Sequence, residues 1–144
     1  MKTLVTGGTG TLGRLVVPRL LAAGYDVRVL SRHRDEVATD IESVAGDLAT
    51  GDGIEAAVSG TEIIIHCAGS MKGDEEKARH LVQAASQTGT GHLIYISVVG
   101  ADRIPVAGRM DRAMFGYFGS KLAAEQIIAK LWTAVDDAAR YPIP

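Results

Sequence analysis

The first 32 residues constrain this chain more than any other stretch. Lys2-Thr3-Leu4-Val5-Thr6 reads as a short apolar strand, and Gly7-Gly8-Thr9-Gly10-Thr11-Leu12-Gly13 as a turn that opens an amphipathic helix. Val27-Arg28-Val29-Leu30-Ser31 reads as a second strand, with Arg32 at its exit. A lone glycine triplet carries little information. Here it follows a strand, opens a helix and lies inside one βαβ unit, the context in which such a turn holds a dinucleotide pyrophosphate.

Each glycine has an expected task. Gly7 allows the tight turn off the strand, Gly10 lets the backbone approach a pyrophosphate, and Gly13 lets helix and strand pack closely. The N–H groups from Thr9 to Leu12, including Thr11, then face phosphate oxygens at a helix N-terminus. An NAD site usually offers a carboxylate about 20 residues past the glycines. This chain offers Arg32 there, with Ser31 before it, Arg34 after it and no acid until Asp35. A guanidinium complements a 2′-phosphate, so charge matching favours NADP(H) over NAD(H); the bland alternative is a solvated basic loop.

The remaining chain alternates strand and helix, which implies a parallel sheet between helices. Ile41 to Ala45 reads as the third strand, ending at Gly46-Asp47-Leu48, and Gly53 to Val58 as a helical segment. Thr61 to His66 is a near-continuous apolar run, as in a strand buried on both faces. A helix is expected from Asp74 to Thr88, its first turn acidic and Gly89 just beyond it. His92 to Ser97 is the fifth strand, Val98 to Arg112 a loop, and Tyr117 to Trp132 a helix by its apolar spacing. Residues 133–144 read as an irregular tail, with Asp136-Asp137 as a solvated turn, although Leu131 to Val135 could begin a strand. Right-handed crossovers order the sheet 3-2-1-4-5 in a three-layer, Rossmann-like α/β/α fold, one domain over residues 1–144.

Ligands of open α/β sheets bind at the carboxyl ends of the strands. There, Asp47 and Leu48 are placed to reach an adenine edge, and the small residues Cys67, Ala68 and Gly69 to let the chain pass close to a cofactor. Cys67 reads as a small buried thiol rather than a nucleophile, since no His/Asn partner motif accompanies it. Tyr117 and Lys121 lie four apart on a helix and so share one face. A neighbouring ammonium favours phenolate, which suits a tyrosine to acid–base catalysis, and the same lysine could bind a nicotinamide ribose. Amphipathic helices also carry this pair without function. Ser97, ending the fifth strand, is open between polarising a substrate carbonyl, facing the cofactor and capping the strand.

Composition excludes several classes. The formal net charge of −2 lacks the clustered positive charge of a nucleic-acid binder. No apolar run approaches the roughly 20 residues of a membrane span, and the first strand begins too early for a signal peptide. With one cysteine there is no internal disulfide framework, and a cytoplasmic location is expected. His33, His66, His80 and His92 fall on different elements without ligand spacing, so no metal site is expected.

Taken together, these stretches resemble the short-chain dehydrogenase/reductase superfamily, in its atypical branch of NmrA-like or NAD(P)H-binding proteins related to extended epimerases and dehydratases. Thr6 to Gly13, Gly46-Asp47-Leu48, Cys67-Ala68-Gly69, Ile96 to Gly100 and Tyr117 through Lys121 carry the resemblance, in the family's order. It implies a Rossmann-like fold, Tyr117 as catalytic acid/base and Lys121 as its modulator and ribose ligand. Val99 stands where extended relatives carry a catalytic Ser or Thr, leaving Ser97 as a partial substitute. The family continues with a further strand and a substrate region, which this chain is expected to lack. The expected function is hydride transfer between NADP(H) and a small carbonyl or quinone-like substrate. A non-catalytic redox sensor and a truncated, inactive copy are the alternatives, and a homodimer along the exposed edge is an expected assembly.

Overall fold

A computed structural model describes residues 1–33, 37, 38, 40–70, 72–103 and 109–136; the side chains of residues 109, 111–115 and 133–136 lie outside the description. Arg34 and Asp35, named above, also lie outside it. In chain order the elements are β1 (Lys2–Thr6), α1 (Gly13–Ala22), β2 (Asp26–Ser31), β3 (Glu42–Ala45), α2 (Ile54–Val58), β4 (Ile63–His66), α3 (Asp74–Ser86), β5 (His92–Tyr95) and α4 (Arg109–Asp136). The five strands form one parallel sheet in the order β3-β2-β1-β4-β5. Thr6 pairs with Leu30 on one side and His66 on the other, so the carboxyl ends of β1, β2 and β4 end level.

Side-chain alternation sorts the core into two layers. Leu4, Leu30 and Ile64 point to one face and pack with Ile54, Ala57 and Val58 of α2 and Leu81, Ala84 and Ala85 of α3. Their sequence neighbours Val5, Val29 and Ile65 point to the other face, with Val27, against Val17 of α1. Arg28 is buried on the α2 face. Its guanidinium donates to Ala57 O (2.8 Å) and Ser59 O (2.7 Å) at the end of that helix and to Glu42 Oε1 (2.8 Å). A cation there offsets the negative end of the helix and fixes α2 against the sheet.

Two expectations at the C-terminal end are corrected. The loop expected over Val98 to Arg112 ends sooner, because α4 starts at Arg109, eight residues before Tyr117. Residues 133–136, expected as irregular tail or incipient strand, continue the same 28-residue helix. Trp132 near its end packs against the core cluster that contains Leu81. β5 is also shorter than expected, ending at Tyr95 rather than Ser97. Among the described residues, no helix is long and apolar enough to cross a membrane.

Candidate functional site

The carboxyl ends of the strands open onto one groove of about 940 Å³. Its walls include Gly7, Thr9, Gly10, Thr11 and Leu12 from the turn after β1, Ser31 and Arg32 from β2, and Asp47 and Leu48 after β3. Cys67, Ala68 and Gly69 after β4, Ser97 after β5, and Tyr117 and Lys121 of α4 complete the set. Of the site residues named from sequence, Gly13 alone does not line it.

The glycine turn works somewhat differently from expectation. Gly7 has φ +70°, and a Cβ there would meet the Ala68 backbone at 2.7–2.8 Å, so Gly7 lets two loops touch as well as turning the chain. A Cβ on Gly13 would fall on the Gly7 carbonyl and the Gly8 backbone: its task is packing helix onto turn, not helix onto strand. At Gly8, which the sequence reading passed over, a Cβ would meet the Val29 side chain at 2.8 Å. The Gly10 N–H is not aimed at the groove, because it closes the turn on Gly7 O at 3.0 Å. The amides of Thr11 and Leu12, which line the groove at the start of α1, have no intrahelical acceptor by construction and remain for a ligand. A Cβ on Gly10 would meet only Gly7 O, at 3.3 Å, with open groove beyond.

This cradle fits a pyrophosphate: bare backbone, spare amides and a helix N-terminus face one open space. A family model described as NAD(P)H-binding matches residues 7–136. The chain belongs to this NAD(P)H-binding family. Its relatives include the ceramide reductase of Caulobacter vibrioides, 32% identical over 138 residues, covering 86% of this chain and 40% of that protein. The oxidoreductase ylbE of Lactococcus lactis shares the fold with a TM-score of 0.77 at 24% identity, over 90% of this chain and 64% of that one. Triphenylmethane reductase of Citrobacter sp., solved with NADP(H), superposes with a TM-score of 0.75 at 22% identity, over 91% and 46%. The fold is thus the oxidoreductase-type architecture of these neighbours, and the curated relatives include reductases and dehydrogenases. The chain spans 12 to 42% of the length of curated relatives it matches.

In this NAD(P)H-binding protein the side of the groove at the ends of β2 and β3 is shaped by local hydrogen bonds. Ser31 Oγ donates to His33 O (2.8 Å) and accepts from His33 N–H (3.2 Å), so its hydroxyl folds the exit turn and leaves Arg32 exposed beside it. Asp47 Oδ1 accepts from Ala49 N–H at 2.8 Å, committing that carboxylate to its own turn.

The opposite side is built from buried charge. Lys121, 3% exposed, places Nζ 3.1 Å from Oδ2 of the fully buried Asp74 and donates to Ile96 O at 3.2 Å. The ammonium lies 5.0 Å from the Tyr95 ring centre and 5.7 Å from that of Tyr117. A Cβ on Gly69 would meet Lys121 Nζ at 2.7 Å, so Gly69 makes room for the lysine, where close passage of a cofactor was the expected reason. Ser97 Oγ is buried with no hydrogen-bond partner, as are Tyr95 Oη and His66 Nε2. Burial, and then the Lys121 charge, pull the His66 imidazole down to about 4, and its Nδ1 shares a 2.6 Å hydrogen bond with Thr6 Oγ1. Burial, with Asp74 next, pushes the Tyr95 phenol well above its ordinary range. Burial also raises the Cys67 thiol, in keeping with an inert role.

Sequence reasoning missed Asp74, Ser70 and Lys77. Asp74 reads from sequence as one of three acids favouring a helix N-terminus, yet Glu75 and Glu76 pair outside with Arg79 while Asp74 is sealed within. Among the described residues no group of His, Cys, Asp and Glu is arranged to hold a metal ion.

Proposed function

We propose that this chain carries the cofactor half of an oxidoreductase that transfers hydride between NADP(H) and a small carbonyl or quinone-like substrate. The observation that supports it is convergence. Tyr117, Lys121 and Ser97, from two distant stretches of chain, line the same groove as the glycine turn. When bound, the nicotinamide supplies or accepts the hydride. Tyr117 gives its hydroxyl proton to the developing alkoxide oxygen in reduction and takes it back in oxidation. Lys121, fixed by Asp74 and Ile96 O, brings positive charge to that phenol and to a ribose hydroxyl. The unpartnered Ser97 hydroxyl donates to the substrate oxygen. Exposed Arg32 takes the 2′-phosphate, and Asp47 and Leu48 flank the adenine.

One observation favours the sensor reading. Val99, where extended relatives would carry a catalytic hydroxyl, is 98% exposed and away from the groove lining. The test is a titration with NADPH and NADH alongside a screen of carbonyl and quinone acceptors. NADPH is expected to bind at least about tenfold tighter than NADH, with Arg32→Ala erasing the difference. Tyr117→Phe is expected to lower turnover about 10²–10⁴-fold with cofactor affinity unchanged. Full turnover in Tyr117→Phe defeats the catalytic assignment; binding without turnover on any acceptor selects the sensor.

A further inference from the structure

Charge does not balance at the start of α3. The Asp74 carboxylate is fully buried and faces two ammonium groups, Lys121 at 3.1 Å and Lys77 at 3.5 Å. Ser70 adds its N–H as a further donor to the same carboxylate at 2.9 Å, and its hydroxyl oxygen lies 3.1 Å from it. One negative charge thus serves two positive ones, and among the described residues neither lysine pairs with a second carboxylate. The imidazole of His66 is neutral above its lowered value of about 4 and adds nothing at neutral pH.

Lys77 is the unexplained member of the group. Position four of a helix is a poor place for a cation, since the helix N-terminus is itself positive. A lysine on a helix usually reaches for water, as Arg79 of the same helix reaches for the exposed Glu75 and Glu76. Lys77 instead folds inward, with a side chain only 18% exposed. Its Nζ donates to Ser70 Oγ at 2.5 Å, and Lys77, Ser70 and Lys121 all line the groove. Ser70 has one hydroxyl proton, engaged with Lys72 O or Asp74 Oδ1, so it accepts from Lys77 and orients it. The ammonium keeps a further proton for the groove.

We infer that Lys77, oriented by Ser70, is an oxyanion seat in the groove wall, taking a phosphate of the dinucleotide or a carboxylate of the substrate. The source of the anion rests on the dinucleotide reading above; its sign rests on the charge count alone. An incoming oxyanion offsets the second ammonium and turns an unbalanced cluster into two matched pairs.

The experiment compares the wild type with Lys77→Met and Lys77→Arg, titrating inorganic pyrophosphate, ADP-ribose, NADPH, and oxalate in the presence of NADP⁺. If the seat holds a cofactor phosphate, Lys77→Met weakens pyrophosphate, ADP-ribose and NADPH by about tenfold or more and Lys77→Arg restores them. If it holds a substrate carboxylate, Lys77→Met leaves ADP-ribose and NADPH unchanged and abolishes the oxalate response. Unchanged affinity for all four overturns the inference. So does a lower melting temperature of ligand-free Lys77→Met, which marks a structural ion pair; removal of a surplus charge predicts an equal or higher one. Should the wild type bind neither NADPH nor ADP-ribose, the dinucleotide reading fails, while the pyrophosphate and oxalate titrations still decide the seat.

Discussion

The two sides of the groove hold their shape by opposite means. The side formed by β1, α1 and β2 relies on what its residues lack: Gly7, Gly8 and Gly13 each have a neighbour where a Cβ would be. The side formed by β4, α3 and α4 relies on what its residues carry, with Lys121 and Asp74 buried in contact and Tyr95 and His66 stacked beneath, their ring centres 5.4 Å apart. A backbone cradle suits a ligand part that never changes during a reaction. A cluster of side-chain charges suits the part where charge moves.

The sharpest way to break this contrast is to remove charge on one side and add bulk on the other. Asp74→Ala strands two lysines in a nearly dry site and is expected to cost about 3–5 kcal/mol in chemical denaturation. Gly7→Val forces a branched side chain into a positive φ and onto the Ala68 backbone, costing about 2–3 kcal/mol and abolishing dinucleotide binding in fluorescence titrations. A loss in the first variant no greater than that of a surface substitution would mean that the charged side is not held by its ion pairs.

Acid separates the two sides more gently. His66 is buried neutral with its pKa lowered to about 4, against 6.5 when unfolded, so the unfolded chain binds the extra proton first. The stability this group contributes is therefore complete above pH 6.5 and is lost as pH falls toward 4. From pH 7.5 to 5.5 the loss is expected to be about 1 kcal/mol, and His66→Gln should flatten that slope in denaturation curves. The smallest effect belongs to the outer edge. Ile94 on β5 is 49% exposed, so Ile94→Lys should change monomer stability by less than about 0.5 kcal/mol. Light scattering on the same variant tests the expected homodimer: copies that pair along this edge should separate.

The contrast also explains what the sequence made legible. Strand order, the glycine turn and the strand-end residues follow from apolar runs, glycines and their spacing, which are local properties. Tyr117 and Lys121 were visible because a four-residue step on a helix is local too. The Asp74–Lys121 pair was not. Its members are 47 positions apart, and an acid at a helix start has a sufficient local reason to be there. The early start of α4 was hidden for a related reason: Gly100, Pro105 and Gly108 give the stretch before it the composition of a loop.

The Ser31 clasp on His33 has a practical consequence for anyone redesigning the protein. Because the hydroxyl fixes the turn independently of its neighbour, residue 32 is presented at the rim as an interchangeable part. If Arg32 meets the 2′-phosphate as proposed, Arg32→Asp is expected to shift coenzyme preference toward NADH, whereas the buried cluster on the far side must be rebuilt as a unit. Directed libraries aimed at coenzyme choice should begin at the rim and leave Ser31 in place.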